Sequence, residues 1–229
     1  MGIVFLSIGG DTKSITNNQE NIMVDTLVVL LLDQSGSMLP IKEQTISGVN
    51  EYISSIATMG KNVKFTQVNF NSDEITTVYD NLPTGEVPNL TSDKYNPSAA
   101  TPLYDAIGKT IVRIDSTIKT YRDKHKKLPH VLFVIMTDGL ENDSKEFIKS
   151  SISNLIKSRT ERGWTFVYLG ANQDAWSVGG GIGIANNMTY DIHKIKETFG
   201  KLASSTGAYV SNSSSPTETF WDGKIKVVK

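Results

Sequence analysis

Residues 28–40 read VVLLLDQSGSMLP. Five aliphatic side chains in a row, without alternation, fit a strand buried on both faces of a parallel sheet. The run stops at Asp33, and Ser35 and Ser37 follow at the spacing D-x-S-x-S. Three small oxygen-bearing side chains at the carboxyl end of a buried strand stand where open α/β sheets bind their ligands. Alone, the triplet fits equally well a tight turn in which Asp33 caps the helix that follows.

Working outward, Ile46, Val49, Ile53 and Ile56 mark one face of a helix from Met38 to about Met59, closed by Gly60. NVKFTQVNF (62–70) alternates and, with EITTVYD (74–80), reads as a hairpin. Pro83, Pro88, Pro97 and Pro102 punctuate a long loop over 81–102, a length that compact domains reserve for function or mobility. Leu103, Ile107, Ile111, Ile114 and Ile118 carry a long helix, and its basic end KHKK (124–127) suits the helix dipole. HVLFVIMTDG (130–139) is a second buried strand that ends in Asp and Gly. A helix over 144–162, a strand over 164–170 and a helix after Asn172 complete the alternation. The expected class is α/β, a Rossmann-like open, mostly parallel sheet with helices on both faces and one antiparallel hairpin strand.

The composition bounds function. With 229 residues, 38% hydrophobic and 21% charged, the chain has the make-up of a globular protein with a sizeable core. One domain is expected over 26–210, with an N-terminal arm or peripheral strand over 1–25 and a C-terminal tail or edge strand over 211–229. Twenty-three basic residues against 24 acidic leave a formal charge of −1, without the basic excess of a nucleic-acid binder. No cysteine is present, which excludes disulfides, a thiolate nucleophile and cysteine-bound zinc, and is compatible with a reducing cytoplasm. No apolar run reaches the roughly 18–20 residues that span a bilayer. The apolar start MGIVFLSIGG lacks a basic n-region, and Leu6 breaks the myristoylation pattern.

Strand ends bring the oxygens together. Asp33 follows one buried strand and Asp138 another, while Thr101 precedes Pro102 at the start of the long helix, where it could also serve as an N-cap. Three loops at one sheet edge therefore offer Asp33, Ser35, Ser37, Thr101 and Asp138. Two carboxylates and three hydroxyls, with no His or Cys, suit Mg²⁺ or Mn²⁺, with Ca²⁺ a poorer match and zinc or copper poorer still. Hydroxyl ligands leave more of the ion's charge unneutralised and so favour an anion from outside.

DQSGSM, ATPLYDAI and MTDG, in this order and spacing, resemble the von Willebrand factor type A (vWA) domain and its metal-ion-dependent adhesion site (MIDAS). The likeness covers about residues 25–210. It implies direct metal binding by the hydroxyls of Ser35 and Ser37, and by Thr101 in the ligand-competent state. Asp33 and Asp138 are implied to act through waters or as acceptors that hold the hydroxyls. The implied function is a metal-dependent adaptor whose ion engages an acidic residue of a protein partner, with no nucleic acid, membrane or catalysis involved. As a stand-alone form the chain is similar to cytoplasmic bacterial and phage vWA proteins, including those linked to tellurite resistance. It departs from the family in having Ala99 and Ala100 where glycines often precede the threonine.

The alternative is a Mg²⁺-dependent hydrolase or phosphatase with Asp33 as nucleophile. Such enzymes need a second acid two residues on, where this chain has Ser35, and a cation for the phosphoryl charge, which these loops lack. Glu141, Asn142 and Asp143 stand close enough in sequence to support the site or face a ligand, but read rather as helix-start residues, and Asp105 as structural. The cluster GGGIG (179–183) stands too late in the chain for a dinucleotide fingerprint. His125, His130 and His193 are isolated, and Trp164, Trp176 and Trp221 read as packing residues.

Overall fold

The computed structural model describes residues 25–60, 62–171, 175–211 and 220–222. Among them, strands β1 (Thr26–Asp33), β2 (Val63–Phe70), β3 (Ile75–Pro83), β4 (His130–Thr137), β5 (Trp164–Ala171) and β6 (Asn186–Tyr190) form one sheet. Their order is β3-β2-β1-β4-β5-β6, and every neighbouring pair is parallel except β2 with β3. The helices are α1 (Lys42–Ala57), α2 (Leu103–His125), α3 (Lys149–Thr160), α4 (Ala175–Gly181) and α5 (Ile195–Ser211).

The uniform aliphatic run of β1 reflects burial from both sides. Val28, Leu30 and Leu32 pack with Ile46, Val49, Ile53 and Ile56 of α1 and with Phe199 and Leu202 of α5. Leu27, Val29 and Leu31 pack with Ile107, Ile111 and Ile114 of α2 and Ile152 and Ile156 of α3 on the opposite face. Each such buried side chain contributes roughly 1.5–3 kcal/mol. Close approach of α1 to α5 depends on Gly48, since a Cβ there would lie 2.2 Å from the Phe199 ring.

Chain direction sets where a ligand can sit. β1 pairs with β2 on one side and with β4 on the other, so the strand order reverses at β1. In such sheets the crevice opens at the carboxyl ends of the strands flanking the reversal. Here those ends are Asp33 and Thr137.

Several boundaries differ from expectation for identifiable reasons. A 3₁₀ turn over Gly36–Ile41, containing Pro40, precedes α1, which therefore begins at Lys42. β3 extends to Pro83, through Asn81 in a left-handed conformation (φ 53°), and shortens the long loop. α2 begins at Leu103, with Pro102 at the N-cap position and no side-chain cap from Thr101. α3 begins at Lys149 rather than near Ser144, because the amides of 143 and 144 are held by Glu141 of the same loop and those of 145–147 by Asp105 of α2, as described below.

β6 and α5 are additional to the elements read from the sequence. Phe220 and Trp221, in a 3₁₀ turn, return to this side of the sheet, with the Phe220 N–H donating to Asn186 Oδ1. The arm over 1–24 and the KIKVVK segment lie outside the described residues.

Candidate metal centre

Asp33 is the last residue of β1 and is fully buried. Its Oδ1 accepts the backbone N–H of Ser35 at 2.7 Å, and its Oδ2 accepts the Thr137 hydroxyl at 2.5 Å. Asp33 thus closes the D-x-S turn, while the N-cap position of the 3₁₀ turn that follows is Ser35. The carboxylate closes the D-x-S turn with one oxygen and reaches the next strand with the other. Ser35 Oγ and Ser37 Oγ lie 3.1 Å apart, and Ser37 donates to Asp138 Oδ1 at 2.5 Å. Ser35 is buried, whereas Gly36 and Ser37 face solvent, so the row of hydroxyls runs from the sheet edge outward.

Thr101 arrives from the other side, at the end of the long loop. Its backbone is clasped by Asn142: the Thr101 N–H donates to Asn142 Oδ1 at 2.8 Å, and the Asn142 N–H donates to Thr101 O at 3.2 Å. The Thr101 hydroxyl meets the other oxygens at Gly139. A Cβ on Gly139 would lie 2.9 Å from Thr101 Oγ1 and 3.7 Å from both Asp33 Oδ2 and Ser37 Oγ. Oxygens from three loops therefore border one small space that glycine alone leaves free.

The loop between β4 and α3 locks this arrangement from outside. Glu141 accepts the N–H groups of Asp143 and Ser144 at Oε1, and that of Tyr104, in the first turn of α2, at Oε2. The Asp105 carboxylate accepts three backbone N–H groups, those of Lys145, Glu146 and Phe147, at 2.7–3.0 Å. The start of α2 is thus capped by a residue 37 positions downstream, and Asp105 has the structural role expected of it.

Electrostatics set a bias at the site. Burial pushes the Asp33 carboxyl up to about 6, against the opposing hydrogen bonds from Thr137 and Ser35, and the nearby Asp138 adds to the rise. Asp138 is also raised, chiefly by burial, with the Ser37 hydrogen bond opposing. The ion pairs of the described residues include neither carboxylate. A cation beside these two groups favours their charged forms.

The donor set fits a hard divalent ion. Asp33, Ser35, Ser37, Thr101 and Asp138 meet at one edge and offer oxygen alone. Among the described residues no three His, Cys, Asp or Glu side chains gather as a metal group. The cluster offers three hydroxyls together with two carboxylates.

Thr137 is not among the sequence candidates, and Asn142 is passed over there in favour of a helix start. The T-D-G triplet carried a signal for the first, since a threonine that ends a buried strand beside a site aspartate has a hydroxyl to donate. Asn142 reads locally as a helix start, and its contact with Thr101 spans 41 residues. Within the glycine cluster Gly179 serves packing: a Cβ there would lie 1.8 Å from Asn187 Oδ1 of β6.

No family model matches the chain, and no curated protein matches it. Solved structures do match. Proximal thread matrix protein 1 from the mussel byssus is 16% identical with a TM-score of 0.56, over 79% of this chain and 46% of that one. The same mussel protein with a zinc-occupied MIDAS motif has a TM-score of 0.54 at 12% identity, over 77% and 46%. The vWF domain of the type V pili tip protein Mfa5 from Porphyromonas gingivalis gives 0.57 at 10% identity, over 82% and 97%. A von Willebrand factor type A structure from Catenulispora acidiphila gives 0.56 at 13%, over 81% and 43%. The chain spans about half the length of the mussel and Catenulispora chains. These likenesses establish an open α/β fold of the vWA kind.

Proposed function

We propose that the chain is a metal-dependent protein-binding adaptor. Ser35, Ser37 and Thr101 would hold a Mg²⁺ or Mn²⁺ ion through their hydroxyls, and Asp33 and Asp138 would hold those hydroxyls in place. A bound ion would supply a positive centre able to accept a carboxylate from a partner protein. The observation that carries this reading is the convergence of Thr101 Oγ1, Asp33 Oδ2 and Ser37 Oγ on the space kept open by Gly139. The vWA fold supports it, since a neighbour of that fold holds zinc in its MIDAS motif. For this chain the all-oxygen set favours Mg²⁺ or Mn²⁺ over zinc.

The chain's own residues divide the work. Asp33 keeps the D-x-S-x-S turn closed, Thr137 orients Asp33, and Asp138 accepts the Ser37 hydroxyl hydrogen bond, which would leave the Ser37 oxygen able to meet an ion. Catalysis by Asp33 fits less well. A nucleophile needs a free oxygen toward substrate, and both oxygens of this buried carboxylate are already engaged. We therefore read the chain as non-catalytic. The lack of cysteine suits a cytoplasmic setting, and among the described residues no helix is long and apolar enough to cross a membrane. The likeness of its motifs to stand-alone bacterial and phage vWA proteins, including those linked to tellurite resistance, belongs to this same proposal.

A test is selection of displayed random peptides on the immobilised protein in Mg²⁺, with elution by a chelator. The enriched peptides should share an acidic residue, and changing it to its amide should abolish capture. Peptides held equally well after chelation would refute the reading.

A further inference from the structure

We propose that Gln34 is a positioning residue for Thr101, acting through segment 94–100; this inference rests on the metal reading above. Gln34 lies between Asp33 and Ser35 and is only 5% exposed. An amide in that position is costly unless its polar atoms are bonded. Its Oε1 accepts the N–H of Asn96 at 3.3 Å and Asn69 Nδ2 at 3.1 Å, and its carbonyl accepts the N–H of Ser98 at 2.9 Å.

The partners of Gln34 belong to one buried ladder. Gln67 Nε2 donates to Asn69 Oδ1 at 2.8 Å, which turns the Asn69 amide so that its Nδ2 reaches both Gln34 and the Lys94 carbonyl, the latter at 3.0 Å. Gln67 and Asn69 are at most 1% exposed. The same segment is tied twice more to the metal-site turn. Tyr95 donates its hydroxyl to the Asp33 carbonyl at 2.7 Å, and the Gly36 N–H donates to the Ala99 carbonyl at 3.0 Å.

The geometry explains why the ladder is polar. The turn that carries Ser35 and Ser37 and the loop that delivers Thr101 are joined by directed bonds, which fix one relative placement. Apolar contact permits sliding, whereas directed bonds specify a position, and here Gln34 Oε1 and both ends of the Asn69 amide are bonded while Gln67 is held through its Nε2. Three residues beyond Ser98 stands Thr101, with Ala99 held in a left-handed conformation (φ 62°) and the Ala100 N–H donating to Ser72 Oγ at 3.0 Å. Little slack separates the amide of Gln34 from the hydroxyl of Thr101. Gln34 thus sets how far Thr101 Oγ1 stands from the two serine hydroxyls.

The test is a double-mutant cycle read by Mn²⁺ calorimetry on the metal-stripped full chain, pairing Gln34→Met with Thr101→Ala. Methionine keeps the volume and removes the acceptor. Gln34→Met should weaken Mn²⁺ binding by about tenfold, the size seen when partners that orient metal ligands are removed. In the Thr101→Ala background the same change should have less than about a twofold effect, because coupled sites fail additivity. An equal loss in both backgrounds, or a lowered melting temperature with unchanged affinity, overturns the positioning role. Should Gln34→Met fail to fold, Tyr95→Phe keeps the ring in the core, frees the same segment from Asp33 and enters the same cycle with the same expected result. Wild-type protein that binds no Mn²⁺ overturns the metal reading and this inference with it. Wild-type binding with an additive cycle overturns this inference alone.

Discussion

The Thr137 hydroxyl donates to Asp33 Oδ2 at 2.5 Å, joining the carboxyl ends of β1 and β4. Those strands pair in parallel up to Leu32 with Met136, so the bond continues the sheet's register into side chains. It fixes the direction of the buried carboxylate, and it opposes the upward push that burial exerts on the Asp33 carboxyl.

Replacing Thr137 by valine removes that donor and leaves the strand. Asp33 should then rise above about 6, and Mn²⁺ affinity at neutral pH should fall by about tenfold or more. Part of the loss should return at higher pH, where the carboxyl ionises again. Mn²⁺ calorimetry across pH 6–9 checks this, and a loss independent of pH would argue against the mechanism.

Metal-free protein should lose stability as pH rises from about 4 to about 6. Across this window the folded chain retains at Asp33 a proton that the unfolded chain, with its ordinary value of 3.8, has released. The folded state therefore binds more protons, and unfolding free energy falls with pH and levels off above about 6. The difference corresponds to about 3 kcal/mol for this one group. Asp105 works in the opposite sense. Burial raises it, but the N–H groups of Lys145, Phe147 and Glu146 and the charge of Lys109 outweigh burial and leave it lowered. The comparison is therefore with Asp33→Asn, which should be more stable than wild type above pH 6 and lose that advantage near pH 4, as read by urea denaturation.

Metal binding should show the reverse dependence, strengthening as pH rises through about 6, because the carboxylates must be ionised to support the ion. A pH-independent affinity between 5 and 7 would mean that Asp33 does not take part.

Gly139→Ala places a methyl group 2.9 Å from Thr101 Oγ1 and into the space the site oxygens share. The expected result is loss of Mn²⁺ binding, with a stability decrease of about 1–3 kcal/mol from overpacking. Gly180→Ala meets nothing within 4 Å and is the control that should leave both unchanged or slightly raise stability.

Asp105→Asn leaves one acceptor oxygen where the carboxylate has two, so at least one of the amides at 145–147 loses its partner. Stability should fall by about 1–3 kcal/mol. Amide hydrogen exchange at 145–147 should quicken well before that of β4.

Much of this architecture was legible because the aliphatic runs of β1 and β4 are buried on both faces and so carry no alternation to misread. That the five candidate residues lie close together at one sheet edge was legible as well, since each follows a strand end or precedes a helix start. Contacts at long sequence separation were not. Amides of 145–147 read as part of the first turn of a helix, and only the fold brings Asp105 to hold them outside one, while Glu141 holds those of Asp143 and Ser144 locally. β6 was hidden by its composition. Asn186 and Asn187 are poor strand formers, and the bond from Asn186 Nδ2 to the Phe166 carbonyl, 20 residues away, is one that no local pattern announces. Gln34 is hidden likewise: in sequence it is a polar turn residue, and in the fold it is a buried hub.

The most direct test of the central claim is calorimetric titration of Mn²⁺ and Mg²⁺ into metal-stripped wild-type protein alongside Thr101→Ala and Asp138→Ala. The account predicts one saturable site in the wild type that weakens in both variants. Absence of binding in the wild type, or binding that both variants retain in full, would contradict it.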